Sequence, residues 1–206
     1  EYINQMYDFQ LVILYQPNNN FRYVLKEIKD QNLNTFTITG TTTNWNLLNS
    51  SQDHFKQAIT NQTENYQPNL NRNYATFIID NLDFDNFPPL KSEFGEFSIT
   101  ASHDILMYKT VNGITTNNVL LATFEANGTK HAILNGEDIW RWRAQAYLDS
   151  ESFIDYDNFT NKLVQYLSSN KRRKRIDIGY KSFYNGNDDV IITAQYFNKS
   201  FECNHI

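Results

Sequence analysis

The chain has 206 residues, of which 40% are hydrophobic and 15% aromatic, enough apolar material for a real core, and this excludes an intrinsically disordered segment. A formal net charge of −5 excludes nucleic acid as a whole-surface partner, because phosphate binding needs a positive field. The single cysteine, Cys203, excludes an internal disulfide framework and any multi-cysteine metal site, and leaves the redox compartment open.

The length slightly exceeds one α/β domain, so one domain with an appendage is expected. No stretch approaches the roughly 18 to 20 apolar residues that span a bilayer, and no signal-peptide pattern opens the chain, so this material is expected to be soluble. Starting at Glu1 and entering an apolar run almost at once, it reads as a fragment, which leaves room for an anchor or targeting segment upstream.

Phe9 to Tyr15 (FQLVILY) is a continuous apolar run ended by Gln-Pro-Asn-Asn-Asn, the pattern of a buried strand leaving its sheet through a turn. Phe21, Val24, Leu25 and Ile28 then recur at helical spacing behind asparagines suited to capping. Thr35 to Thr39 (TFTIT) is a β-branched strand bounded by Gly40. Together these predict a β-α-β unit, hence a parallel sheet with a right-handed crossover. A second helical region follows, with Trp45, Leu48, Phe55, Ala58 and Ile59 on one face, and Ala75 to Asp80 (ATFIID) reads as a strand.

From Phe94 the texture changes to hairpins. Asn112-Gly113 and Asn127-Gly128 are strong two-residue turn signals, and Leu120 to Glu125 should pair antiparallel with Lys130 to Asn135. Glu137 to Leu148 predicts a helix with acidic residues in its first turn, and Asp157 starts another whose inner side carries Phe159, Leu163, Val164 and Leu167. The basic run from Lys171 to Arg175 closes it, as cations at a helix C-terminus complement the exposed carbonyls, with a phosphate or lipid-headgroup patch as the alternative reading. Beyond Arg175, Ile176 to Tyr180 and Asp189 to Phe197 read as strands, either the opening of a truncated β-sandwich module or a β-arm. The predicted domains are therefore 1–175 and 176–206. Five Asn-x-Ser/Thr triplets, at Asn49, Asn61, Asn127, Asn158 and Asn198, are the chance product of an asparagine-rich chain.

Three segments carry a resemblance: YDFQLVILYQPN at Tyr7 to Asn18, TFTITGTTTNW at Thr35 to Trp45, and NGEDIWRWRAQAYL at Asn135 to Leu148. Over nearly its whole length the chain resembles the class I glutamine amidotransferase-like domain of large Bacteroidetes inner-membrane proteins, often labelled von Willebrand factor A domain-containing. The resemblance implies a three-layer, flavodoxin-like α/β domain that continues into an immunoglobulin-like β appendage. It also implies anchorage by membrane segments outside this chain, with the domain facing the periplasm.

A class I amidotransferase needs a cysteine on a sharp strand-to-helix elbow and a histidine, usually backed by a glutamate, to deprotonate it. The candidate elbow, Gly40-Thr41-Thr42-Thr43, has no cysteine, and Cys203 lies far along the chain. Where the histidine is expected the chain reads Asn135-Gly136-Glu137-Asp138; His131 is near but lies within the strand. His54 and His103 have no partner at a recognisable spacing, and His205 is terminal. Metal ligation is not expected, since there is no His-x-x-x-His or cysteine pair, and Asp80, Asp83 and Asp85 lack the glycine and terminal glutamate of a calcium loop. No cofactor is expected.

In the Trp140-Arg141-Trp142-Arg143 cluster, residues two apart on a helix point in different directions, so one tryptophan should anchor the helix on the sheet while an arginine pairs with Glu137 or another carboxylate. Arg141, Arg143 and Glu137 are the alternative lining of a degenerate cleft, together with Gly40 to Thr43, His131 and Gly136. These features predict a non-catalytic binding or scaffolding domain of a cell-envelope protein, with a protein partner or self-association and membrane contact only through outside segments. The rival is a divergent hydrolase using Thr41 or Thr42.

Overall fold

The computed structural model describes residues 3–169 and three short strands beyond them, and the chain divides into two compact units, Glu1–Asn170 and Lys171–Ile206. The first unit is a mixed α/β structure. Its first strand, β1 (Val12–Tyr15), is followed by helix α1 (Arg22–Gln31) and strand β2 (Thr35–Thr39). The two strands are parallel, with Val12 opposite Thr35 and Tyr15 opposite Ile38, as the predicted β-α-β unit requires. Helix α1 stops at Asn32, which takes a left-handed φ of 53° and donates its N–H back to Ile28 and Lys29.

Helix α2 is short, Trp45–Ser51. Its N-cap is Asn44, whose side chain accepts from the Leu47 N–H at 2.9 Å. The predicted continuation of its face through Phe55, Ala58 and Ile59 is wrong, and side-chain competition explains why. Ser50 and Ser51 both donate to the Leu47 carbonyl, and Gln52 turns extended while its Oε1 accepts from the His54 and Phe55 amides. Phe55 therefore begins a strand, β3 (Phe55–Gln57).

Next come β4 (Thr63–Leu70), β5 (Leu90–Glu93), β6 (Phe97–Ile99), β7 (His103–Val111), β8 (Ile114–Ala126) and β9 (Thr129–Asn135). Seven strands form one sheet in the order β1-β2-β9-β8-β7-β4-β5, and β3 pairs with β6 in a separate ribbon. Only β1, β2 and β9 are parallel to one another; β8, β7, β4 and β5 continue the sheet antiparallel. Both predicted Asn-Gly turns close hairpins, with φ positive at Asn112, Gly113, Asn127 and Gly128 as a type I′ turn demands. The pairing predicted across the second turn is present, Leu121 opposite Leu134 and Glu125 opposite Lys130.

The predicted strand at Ala75 to Asp80 is absent. That segment is irregular and held by buried Phe77, whose ring meets Tyr74 and Tyr166, while Ile78 is exposed. The sheet position is filled by the polar β4, which carries Pro68.

The last two helices are α3 (Trp140–Ser150) and α4 (Ile154–Ser168). Each starts at a place other than expected. Glu137 pairs as an isolated bridge with Lys91 and Asp138 has φ of 69°, so neither lies in the first turn of α3. Helix α4 begins three residues before Asp157 and buries Phe159, Leu163 and Leu167.

On one side of the sheet, Leu14, Phe124 and Ile133 pack with Leu25 of α1, Trp45, Leu47 and Leu48 of α2, and Phe55 and Phe97 of the ribbon. The opposite side carries Thr123, bonded to Tyr74, and Lys130, whose ammonium lies over the Tyr166 ring of α4. There Trp142 and Phe159 meet Phe84 edge to face, at 5.7 and 5.1 Å.

The second unit is described only by its backbone. Strands β10 (Ile176–Gly179), β11 (Thr193–Phe197) and β12 (Cys203–Asn204) form an antiparallel sheet in that order. The predicted basic run, the predicted domain boundary at 175, the outer ends of the two predicted tail strands and the Asn198 triplet lie outside the described residues.

Candidate functional site

Parallel strands β2 and β9 end side by side, Thr39 opposite Asn135, so the turns that follow them meet. This brings Gly40, Thr41, Thr42 and Thr43 against Gly136 and Glu137. Thr41 donates its N–H to Glu137 Oε2 at 2.8 Å and its hydroxyl to both carboxylate oxygens, at 3.0 and 2.9 Å. Thr42 donates its N–H to Gln16 Oε1 at 3.0 Å, and its hydroxyl donates to the same oxygen. The Gly40 N–H goes to Thr43 Oγ1 at 2.9 Å and the Thr43 N–H to the Gly40 carbonyl at 3.2 Å. All four backbone donors of the turn are thus engaged within the protein.

The packing around Gly40 is close. A methyl group there would lie 2.4 Å from Glu137 Oε2 and 2.7 Å from both Glu137 Cβ and Gln16 Cδ. Only glycine lets those two side chains close over the turn. Beneath it sits a buried polar network that sequence reasoning missed. Asn135 Oδ1 accepts from the Thr39 hydroxyl at 3.1 Å and from the Ser92 hydroxyl, and Asn135 Nδ2 donates to Gln57 Oε1 at 3.2 Å. Gln57 is fixed in turn by Asn49, whose side chain bonds both its N–H and its carbonyl. A fully satisfied network of this kind is rigid and ties β2, β9, β5 and β3 together.

His131 is not part of this constellation. It pairs with Thr35, five residues before Gly40, roughly 16 Å away at the usual rise per strand residue. Its ring is boxed in: Nδ1 lies 2.8 Å from Thr35 Oγ1, Nε2 lies 2.8 Å from Thr129 Oγ1, and it stacks on Phe124 and His54 at 5.1 and 5.4 Å. Burial, with a smaller contribution from His54, pushes its pKa down to about 4, so it is neutral near pH 7 and both nitrogens are occupied.

The arginines separate too. Arg141 donates to the Pro89 carbonyl at 3.3 Å, and Arg143 forks onto Asp157 at 2.8 and 3.0 Å, holding that carboxyl below its usual value. The expected division of labour between the tryptophans is present: Trp142 is fully buried and donates to the Pro88 carbonyl at 2.8 Å, while Trp140 is 67% exposed.

Chemically, the turn offers a threonine hydroxyl hydrogen-bonded to a carboxylate. An acyl-transfer site also needs two donors free to meet a developing oxyanion. The amides of Thr41 and Thr42 are committed to Glu137 and Gln16 instead. Among the described residues, no cluster of three or more His, Cys, Asp or Glu side chains has a metal-binding arrangement. No described helix is long and apolar enough to cross a membrane.

One surface was not foreseen. Trp140, Ala144, Tyr147 and Leu148 share an outward face of α3, at positions i, i+4, i+7 and i+8, and Leu148 is 75% exposed. Phe153 extends it by stacking on Tyr147 at 4.6 Å, and Ile154 follows, also exposed. The signal lay in the sequence EDIWRWRAQAYL, whose apolar residues fall on both sides of the helix. Comparison with protein-family models, with curated proteins and with solved structures gives no match.

Proposed function

We propose that this chain is a non-catalytic protein-binding or scaffolding module of a cell-envelope protein, a degenerate relative of the class I glutamine amidotransferases. The observation that carries the reading is the outward apolar face of α3, continued by Phe153 and Ile154. An apolar surface of this kind, fixed on a helix whose other face is locked by Trp142, suits a protein partner. Thr41 and Thr42 are solvent-exposed, but their amides serve Glu137 and Gln16, and this supports the absence of catalysis. Helices packed on both sides of the sheet and the parallel β1-β2-β9 core support the three-layer, flavodoxin-like assignment. The resemblance of the sequence supports a periplasmic position, anchored by segments outside this chain.

The rival is a hydrolase with Thr41 as nucleophile and Glu137 as base, and the 2.9 Å contact between them favours it. A photo-crosslinker at position 148, in cells producing the full-length protein, separates the two. A protein adduct competed by the purified chain, but not by its Trp140→Ala/Leu148→Asp variant, is expected. Absence of a competed adduct, together with amide or ester hydrolysis that Thr41→Ala abolishes, would put the hydrolase in its place.

A further inference from the structure

Within the first unit, the outer edge of β1 carries no partner strand among the described residues. The Val12 N–H donates to the Asn34 carbonyl at 3.0 Å and the Gln16 N–H to the Ile38 carbonyl at 2.7 Å, so the even-numbered amides face β2. The N–H and C=O groups of Ile13 and Tyr15 consequently point away from the sheet, and no described strand pairs with them. Ile13 is 55% and Tyr15 47% exposed. Natural edges are blunted by charge, proline, a bulge or a cover. From Phe9 to Gln16 there is no charged residue and no proline.

We propose that this edge is an isologous interface in which β1 pairs antiparallel with β1 of a second copy of the chain. The geometry fixes the register. Outward hydrogen-bonding groups belong to Ile13 and Tyr15, and a two-fold axis at Leu14 sets Ile13 opposite the partner's Tyr15 and Tyr15 opposite the partner's Ile13. Each such pair exchanges both N–H to C=O bonds, and Leu14 meets its own copy as the non-hydrogen-bonded pair between them. Ile13 and Tyr15 project from the same face, so each cross-strand contact is an aromatic ring against a β-branched side chain, a favourable sheet pair. The uncharged run sets no like charges against each other across the axis. One patch serves both copies, so the assembly closes as a dimer.

The test is sedimentation velocity of the 206-residue chain over a dilution series up to about 100 µM, where any micromolar association is populated. The wild-type chain is expected to dimerise. Tyr15→Lys, which sets an ammonium against the partner's Ile13, should weaken the dimer at least tenfold. Ile13→Pro, which removes an outward N–H at an edge position that tolerates proline, should do the same without a change of charge. Circular dichroism and thermal melting establish that both variants fold. Leu148→Asp on the α3 face should leave the dimer unchanged. A wild-type chain that stays monomeric overturns the proposal, as does a dimer indifferent to both β1 substitutions or dissolved by Leu148→Asp.

Discussion

The two edges of the seven-stranded sheet are finished in opposite ways. At β5 the chain covers its own edge: the Glu137 N–H donates to the Lys91 carbonyl at 3.0 Å, Gly136 lies against Leu90, and Glu93 accepts from the Thr60 and Asn61 amides at 2.9 and 2.7 Å. That strand also carries charges of both signs, Lys91 and Glu93. At β1 no described strand returns and no residue of the strand is charged. The covered edge depends on tertiary contacts gathered from residues 57 to 142, whereas at β1 no described strand supplies such contacts.

The largest blow to the covered edge should come through Trp142. It is fully buried between Phe84 and Phe87 and donates to the Pro88 carbonyl, two residues before β5 begins. Trp142→Ala removes that packing and leaves the carbonyl unpaired, an expected loss of about 3 to 5 kcal/mol in urea unfolding. Trp140→Ala, at the exposed end of the same cluster, should stay within about 0.5 kcal/mol. Equal losses at the two positions would mean that α3 does not clamp the Pro88-Pro89 segment.

How much of this was legible in the sequence follows the same division. The β1-α1-β2 unit was readable because apolar spacing switches from a continuous run to the helical period and back within one local segment. Both hairpins were readable because Asn-Gly carries its own φ requirement. Strand β4 was not, since Thr63 to Leu70 is polar and contains Pro68, and its place in the sheet comes from β7 and β5. The turn at Gly40 to Thr43 and its neighbour Glu137 were identified from the chain. Gln16, Asn135, Ser92 and Gln57, which brace the turn, were not, because nothing local marks a polar residue whose partner lies 43 or 78 positions away. The bare edge was hidden by its composition: FQLVILY reads as a buried central strand, and only the sheet order reveals that Ile13 and Tyr15 stand in solvent.

Between the two edges, but on the covered side, lies Lys109 of β7. It is 2% exposed, its ammonium sits 3.9 Å from the centre of the Tyr66 ring, and it makes no ion pair among the described residues. Burial pushes its pKa down from 10.5 to about 7. Above pH 7 the folded chain holds this amine neutral while the unfolded chain still binds the proton, so unfolding takes a proton up. Stability should therefore rise with pH between about 7 and 10, by up to about 1.4 kcal/mol per unit. Beyond pH 10 the trend reverses, because burial raises the pKa values of Tyr74, Tyr156 and Tyr166 and the folded state keeps phenol protons that the unfolded state releases. Lys109→Met, similar in volume, should flatten the rising limb and raise stability at pH 7. Parallel pH profiles for the two proteins would show that the ammonium reaches solvent past the β5 edge.

A smaller effect than that at Trp142 isolates the edge cover itself. A Cβ at Gly136 would lie 2.6 Å from Leu90 Cβ, a distance that non-bonded carbons do not sustain, and Leu90 is fully buried in β5. Gly136→Ala should cost about 1 to 3 kcal/mol by pushing the returning segment off the strand. The nearest atom is Leu90 Cβ and not the flexible end of the side chain, so shortening the leucine gives no relief. In a Leu90→Ala background, Gly136→Ala should still carry most of its cost, measured as a double-mutant cycle in urea. If the cost vanishes there, the clash is with the leucine branch, and the segment at Gly136 covers β5 with room to spare rather than by close backbone approach.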